Sequence, residues 1–403
     1  MSLGERVPRL RFPGFEGEWE NMRWGNLGLF FGGLTGKTKD DFGVGGSYFI
    51  PYMNVYKNII ADNKMLEPVN IRKEEKQNVV KYGDILLTQS SETIEEIGLA
   101  SVWIDNNEPY LNSFCFAFRL NKEGMSPIWF SYLMRSYNVR KLIMREGQGI
   151  TRVNLSSERL KSVILKIPSL EEQEKIASTL SLLDSRIAAQ RKLVELLKKH
   201  KRGLIKHLFR PIEHTKWKSV RLGDVGTFQK GAPLSKADIS KDGKPFILYG
   251  ELYTTYGEII KDVVRRTTAE IDISYLSRCG DVIIPTSGET AEEIATASCV
   301  MSDGVVLGGD LNIYRSEHID GRFLAYAVRY IISRDISRIA QGVSVVHISA
   351  TELKRISVSI PSKDEQIRII SVLENYDNRI LHSYDILKKL EVTKDGLLQQ
   401  LFV

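Results

Sequence analysis

Four loop-prone stretches carry most of the side chains with chemistry to offer. Gly33-Leu-Thr-Gly-Lys-Thr-Lys-Asp-Asp41 and Pro51-Tyr-Met-Asn-Val-Tyr-Lys57 lie in the first half of the chain. Gln229-Lys-Gly-Ala-Pro-Leu-Ser-Lys236 and Phe246-Ile-Leu-Tyr-Gly-Glu-Leu-Tyr-Thr-Thr-Tyr256 lie in the second. Taken together, the two stretches of each half are rich in Tyr, Thr, Lys and amide-type groups, a mixture suited to contacting phosphates while hydrogen-bonding to base edges.

Catalytic constellations do not assemble as readily. Gly36-Lys37-Thr38 ends like a phosphate-binding loop, but Phe31 stands where that loop needs its first glycine. Asp84 and Asp281 lack the Glu-x-Lys partner of a metal-dependent nuclease and fit turns better. Glu95-Glu96 and Glu292-Glu293 are paired carboxylates without metal-type company, suited to a surface loop or helix start. There is no glycine-rich cofactor loop after a strand and no Asn/Asp-Pro-Pro-aromatic turn of a DNA methyltransferase. The six histidines are scattered. Cys115, Cys279 and Cys299 form neither a metal-type spacing nor a disulfide framework, so a reducing cytoplasm is the expected setting. No run approaches the roughly 18 apolar residues of a membrane span. A formal charge of +6 permits a polyanionic partner without specifying one.

The elements that must position these loops come in duplicate. Ile167-Pro-Ser-Leu-Glu-Glu-Gln-Glu-Lys-Ile176 returns 193 residues later as Ile360-Pro-Ser-Lys-Asp-Glu-Gln-Ile-Arg-Ile369, and 17 of the 43 positions from 167 to 209 are identical to their counterparts. Trp19, Arg23, Gly25 and Gly28 recur as Trp217, Arg221, Gly223 and Gly226; Gly83-Asp84 and Thr88 recur as Gly280-Asp281 and Thr286. Thr93 with Glu95-Glu96-Ile97 recurs as Thr290 with Glu292-Glu293-Ile294, and Gln148-Gly149 as Gln341-Gly342. Leu10 and Pro13 stand before Trp19 as Leu208 and Pro211 stand before Trp217. The order is therefore cyclic, and the expected object is two equivalent globules with an approximate twofold axis within one polypeptide.

Beyond Pro168, positions 176, 180, 183, 187, 190, 194, 197, 201, 204 and 208 follow 4-3 spacing and are apolar except Gln190 and Lys201. The second copy runs from Ile369 to Leu401 with Ser383 and Lys394 at the same two places. Helices of about 40 residues reach about 60 Å, more than one globule needs, so mutual antiparallel packing is expected, with the polar seam residues as register devices. The alternative has each helix packing on its own globule. Lys192, Lys198, Lys199, His200, Lys201, Arg202, Lys206 and His207 make the end of the first helix basic, mostly as a solvated face. Turn-fed buried strands are expected at Gly83–Thr88 and Gly280–Thr286, and helices at Ile128–Met144 and Arg322–Ile339.

On these features the chain resembles the specificity subunit of type I restriction-modification systems. The resemblance covers essentially its whole length. It implies an α+β fold: two similar target-recognition domains joined by two long helices in an antiparallel coiled coil, with pseudo-twofold cyclic order. The implied division is 1–18 completing the cyclic repeat, 19–165 and 211–358 as recognition domains, and 166–210 and 359–403 as the long helices. Each domain would read half of a split DNA target. The helices would set the spacer and dock two methylation subunits, which bring S-adenosylmethionine and the chemistry; restriction and motor subunits would join them. The chain itself would bind no cofactor or metal and would not be catalytic.

Carried onto this sequence, the implied DNA contacts of the first domain are Lys37, Lys39, Tyr52, Asn54, Tyr56, Lys57, Gln89, Ser90 and Ser91. Those of the second are Lys230, Lys236, Tyr249, Glu251, Tyr253, Thr254 and Ser287. Gln148, Thr151, Arg152, Gln341 and Ser344 fall in the equivalent loops before the long helices. Glu251 is expected to accept from a cytosine amino group. Two other classes fit less of the sequence: a coiled-coil scaffold whose globules bind proteins, and a self-sufficient enzyme.

Overall fold

The computed structural model describes residues 7–210, 217–340, 342 and 346–403; Gln341 and Ser344 lie outside the described residues. The chain divides into two compact units, residues 1–191 with 386–403, and residues 192–385. Each therefore holds one globule and a segment of both long helices, Leu170–Leu208 and Lys363–Gln400.

The first globule is built on a four-stranded antiparallel sheet in the order Gly28–Gly32, Cys115–Leu120, Ile85–Thr88, Ala100–Val102. The second repeats this order with Thr227–Lys230, Leu311–Arg315, Asp281–Pro285 and Ser298–Val300, and adds Ile259–Ile260 in parallel at the edge. Each also has a three-stranded side sheet, centred on Phe42–Ile50 in the first and Lys244–Ile247 in the second. A two-stranded ribbon closes each globule, Glu20–Arg23 against Ile164–Ile167 and Lys218–Arg221 against Ser357–Ile360.

The recurring residues have identifiable jobs. Gly83 (φ 88°) and Gly280 (φ 95°) make the turns into the buried central strands in a region that favours glycine. Asp84 then accepts from the Lys81 N–H and takes a bidentate pair with Arg119 (2.8 and 2.6 Å). Asp281 does the same with the Arg278 N–H and with Arg315 (2.8 and 2.9 Å). Both aspartates are thus turn residues, locked by an arginine one strand away.

Each expected globular helix is two. Pro127–Arg135 breaks at Ser136, which is extended (φ −67°, ψ 150°) and donates its Oγ to the Leu133 carbonyl, before Tyr137–Arg145. Gly321–Tyr330 is likewise followed by Ser333–Ile339. The end of each first helix is anchored in the interior: Arg135 donates to the carbonyls of Ala100, Val55, Tyr56 and Asn58. Arg329 clamps Ala297, Leu252, Tyr256 and Gly257 in the same way.

The helix-start motif docks each long helix onto a globule. Gln173 donates to the carbonyls of Gly124 and Pro168 and accepts from the Ser126 N–H; Gln366 donates to those of His318 and Pro361 and accepts from the Asp320 N–H. Within each unit the helices pair antiparallel: Asp184 meets Lys394 and Arg191 meets Glu391 in the first, Lys201 meets Asp377 and Lys198 meets Tyr384 in the second. Seam positions Ile176, Leu180, Ile187, Val194 and Leu197 are buried; further along, Ile205 rather than Leu204 becomes the fully buried residue. The helix ends close the cores equivalently. Phe402 packs on Trp19 and Trp129 (6.5 and 6.1 Å between ring centroids), as Phe209 packs on Trp217 and Phe323 (6.4 and 4.7 Å). The N-terminal segment joins this end of the first unit through the Leu10 N–H to the Gln400 carbonyl and through Arg11 to Glu172.

Candidate nucleic-acid interface

At the end of the central strand the first unit gathers side chains from four separate stretches. Gln89 follows strand Ile85–Thr88, and Ser90–Ser91 pair with Val153–Leu155, the second strand of a hairpin that starts at Gly147–Gln148. Strand pairing thus brings two loops that are some 60 residues apart in sequence into one mouth. Arg152 donates from Nε to Ser90 Oγ (2.9 Å) and lies over the Phe114 ring (4.9 Å). Ser91 donates to Glu96, which also accepts from Tyr56 Oη at 3.3 Å. Tyr56 stacks beside Tyr52 at 6.2 Å, and burial raises the Tyr52 phenol. Thr151 and Gln148 are exposed on the hairpin, the Gln148 amide lying beside the Arg159 guanidinium.

The second unit builds the same mouth from different groups. Ser287–Gly288 pairs with Val346–His347, and Ser287 Oγ lies 3.2 Å from His347 Nδ1. Tyr249 and Tyr253 sit edge to face at 6.4 Å. Burial, then the nearby Tyr249, Glu293 and Glu289, pushes the Tyr253 phenol up to about 12. Lys230, Lys236 and Thr254 are exposed, the Thr254 hydroxyl donating to the Gly250 carbonyl.

Five expected contacts are buried or occupied internally, among them Ser90 and Ser91, 6% and 5% exposed and held by Arg152 and Glu96. The Lys37 side chain is only 2% exposed, its ammonium 2.5 Å from both Glu75 and the Asn70 carbonyl. This pins the Gly36-Lys37-Thr38 turn rather than offering a phosphate site. Asn54 is fully buried and bridges the backbone of Asp62 and the amide of Asn58. Glu251 is buried, accepting from the Leu248 N–H and paired with Arg265, so the carboxylate expected to read a cytosine instead holds its own loop. Lys39 and Lys57 remain exposed.

Sequence reasoning missed Glu96, Phe114, Asp310 and His347. Glu96 and Glu293 hold one place in the duplicated pattern, at the same offset of 197 residues as Tyr56 and Tyr253, a recurrence read only as a surface loop or helix start. Phe114, Asp310 and His347 left no such trace, because they reach the mouths only through strand pairing.

Two mouths of polar side chains on a duplicated α+β frame define a binding protein with two related recognition domains. A family model described as the type I restriction modification DNA specificity domain matches residues 16–199 and again 214–392, and the chain belongs to that family. It is similar to a putative type I restriction enzyme MjaX specificity subunit of Methanocaldococcus jannaschii, with 26% identity over 375 residues covering 86% of this chain and 84% of that protein. The type I restriction enzyme MjaVIII specificity subunit of the same organism is 23% identical over 402 residues, 94% and 88% of the two chains. Among solved structures, the type I restriction-modification S subunit from M. genitalium shares the fold at a TM-score of 0.59 and 16% identity over 98% and 99% of the chains. A chain from work on complex assembly and conformational transition of the type I R-M system does so at 0.60 and 17%, over 97% and 98%.

Proposed function

We propose that this chain is the DNA-reading subunit of a type I restriction-modification complex in the cytoplasm, each globule recognising one half of a bipartite target. The observation that carries this reading is the pair of equivalent mouths, one per unit, built from the same strand ends yet lined by different polar side chains. Exposed lysines such as Lys39, Lys57, Lys230 and Lys236 supply salt-dependent attraction to phosphates, and the Tyr, Ser, Gln, Arg and His groups of the mouths discriminate bases. The chain contributes no catalytic group. Two methylation subunits dock on it, carry S-adenosylmethionine and modify the target, and restriction and motor subunits complete the assembly.

The test is to produce the chain with its cognate methylation subunit in cells lacking other modification and to map methylated bases genome-wide. A two-part motif with a fixed gap is expected; absence of new methylation from an assembled complex would remove the reading. Deleting one heptad from each helix, residues 187–193 and 380–386, should change the gap and leave both half-sites intact.

A further inference from the structure

The two mouths differ at one equivalent place. Phe114 immediately precedes strand Cys115–Leu120, and its carbonyl accepts from the Gln89 N–H at 2.8 Å. Asp310 immediately precedes Leu311–Arg315, and its carbonyl accepts from the Thr286 N–H at 2.8 Å, so strand register sets Thr286 at the place of Gln89 and Pro285, not Thr286, at that of Thr88.

In the first unit this place is an exposed aromatic ring, 48% accessible, under the Arg152 guanidinium. Nε of that guanidinium is fixed by Ser90, and among the described residues its terminal nitrogens donate to no other group. The result is a cation held over the ring with its fork free, a group that matches two acceptors side by side.

In the second unit the place holds a carboxylate. Asp310 is exposed and has φ 58°, the one non-glycine residue with positive φ among those described. Asp tolerates this backbone region better than most residues, and such outliers gather at functional sites. Oδ1 accepts a long bond from Thr286 Oγ1 (3.4 Å), and Oδ2 accepts none among the described residues. The next residue along, Ser287, carries the His347 contact.

A carboxylate facing DNA is repelled by phosphates and by guanine O6 and N7, and is rewarded only by an exocyclic amino donor. We propose that Asp310 is a specificity-determining residue, accepting a hydrogen bond from a cytosine amino group in the half-site read by the second unit. Arg152 on Phe114 takes the converse role toward a guanine in the other half-site. The proposal rests on the DNA-reading function above and gives Asp310 the part that the buried Glu251 cannot play.

The experiment maps methylated sites for complexes of the full chain with its methylation subunit, comparing the parent with Asp310→Asn, Asp310→Ala and Asp310→Gly. Asn and Gly accept the left-handed backbone, so they separate loss of the carboxylate from loss of the loop. The expected result is a cytosine at one position of one half-site that relaxes by about 10- to 100-fold in all three variants. The gap and the other half-site stay unchanged, whereas Arg152→Ala relaxes a guanine in that other half-site alone. A two-part parent motif that Asp310→Gly leaves intact, or relaxation in both halves together, overturns the role of Asp310 only. A parent complex that assembles but yields no two-part motif overturns the DNA-reading function and this proposal with it.

Discussion

Tyr132 and Tyr326 hold matching places in the two units, yet the locks they close differ. In the first, Tyr132 Oη donates to Asp184 (2.7 Å), and Asp184 lies 2.5 Å from Lys394 Nζ. Ile59, Ile60 and these three side chains line a cavity of about 750 Å3. In the second, Tyr326 donates to Asp377, which lies 2.5 Å from Lys201 Nζ, but two substitutions seal the site. Glu258 stands where the first unit has Ile59, and Tyr330 where it has Ser136. Glu258 lies 2.8 Å from Lys201 Nζ and accepts from Tyr330 Oη at 2.6 Å. The Lys201 side chain is 9% exposed against 19% for Lys394. The difference teaches that one docking device works in two electrostatic settings: an ion pair suffices beside a cavity, whereas a buried ammonium is joined by a second carboxylate and more hydroxyls.

The largest expected effect follows from that burial. Lys201→Met leaves the buried Glu258, 11% exposed, beside the Asp377 carboxylate with no cation between them and should destabilise the second unit by about 3–5 kcal/mol. Lys394→Met leaves the part-exposed Asp184 able to hydrate and should destabilise the first unit by about 1 kcal/mol. Hydrogen exchange read unit by unit during urea titration separates the two, and equal losses would end the distinction.

A matched control comes next. Arg135→Met and Arg329→Met each orphan the carbonyls their guanidinium holds, and each should cost about 3 kcal/mol in its own unit. Burial pulls the Arg135 guanidinium down to about 10, with the Arg140 charge adding to it, and burial also lowers that of Arg329, so both are desolvated. Unequal losses at this pair would mean that the units differ in general rigidity, and the lysine comparison would lose its meaning.

These clamps and locks mark what was legible in sequence. The duplication exposed the frame, because residues such as Gly83, Asp84 and Gln173 are held by backbone geometry that both copies need. Lys201 and Lys394 stood out as polar interruptions of an apolar seam, but their partners Asp377 and Asp184 lie off the seam, and Tyr326 and Tyr132 are reached only through the globule. Candidate DNA contacts were least legible. Lys37, Asn54 and Glu251 have the right types for DNA contact and are instead consumed by loop architecture, a distinction set by side-chain packing that residue type does not encode.

The pH dependence sharpens the comparison further. Burial raises the Glu258 carboxyl, but attraction to Lys201 and hydrogen bonds from Lys201 and Tyr330 outweigh it and leave it below its ordinary value of 4.5. Burial, with the Glu258 charge, raises Asp377 above its ordinary 3.8 despite Lys201 and Tyr326. A depressed carboxylate stabilises fully above its unfolded value, and that contribution disappears as pH falls through the folded value; a raised one is relieved by the same acidification. The stability gap between the parent and Glu258→Gln should therefore be flat from neutral pH down to the Glu258 unfolded value of 4.5 and then close. A gap that persists well below that value in denaturant titrations would show that Glu258 acts through packing rather than charge.

The smallest expected effect is the most informative about why the second lock is charged. Glu258→Ile with Tyr330→Phe gives the second unit the apolar residue the first has at 59, removes the extra hydroxyl, and leaves Lys201 paired with Asp377. Replacing a buried ionic group by an apolar one of similar size is often neutral in stability, so the double variant should stay within about 1 kcal/mol of the parent. If it does, the second carboxylate adds little net stability, and its effect belongs to alignment: Lys201 sits in the helix seam, and a cation fixed from two sides allows one register of the helices where a cation fixed from one side allows more. Crosslinking yield between cysteines placed at Lys198 and Tyr384, already in contact across the two helices, reads that register directly. A drop in yield at unchanged stability supports alignment, and unchanged yield leaves the charge without that role.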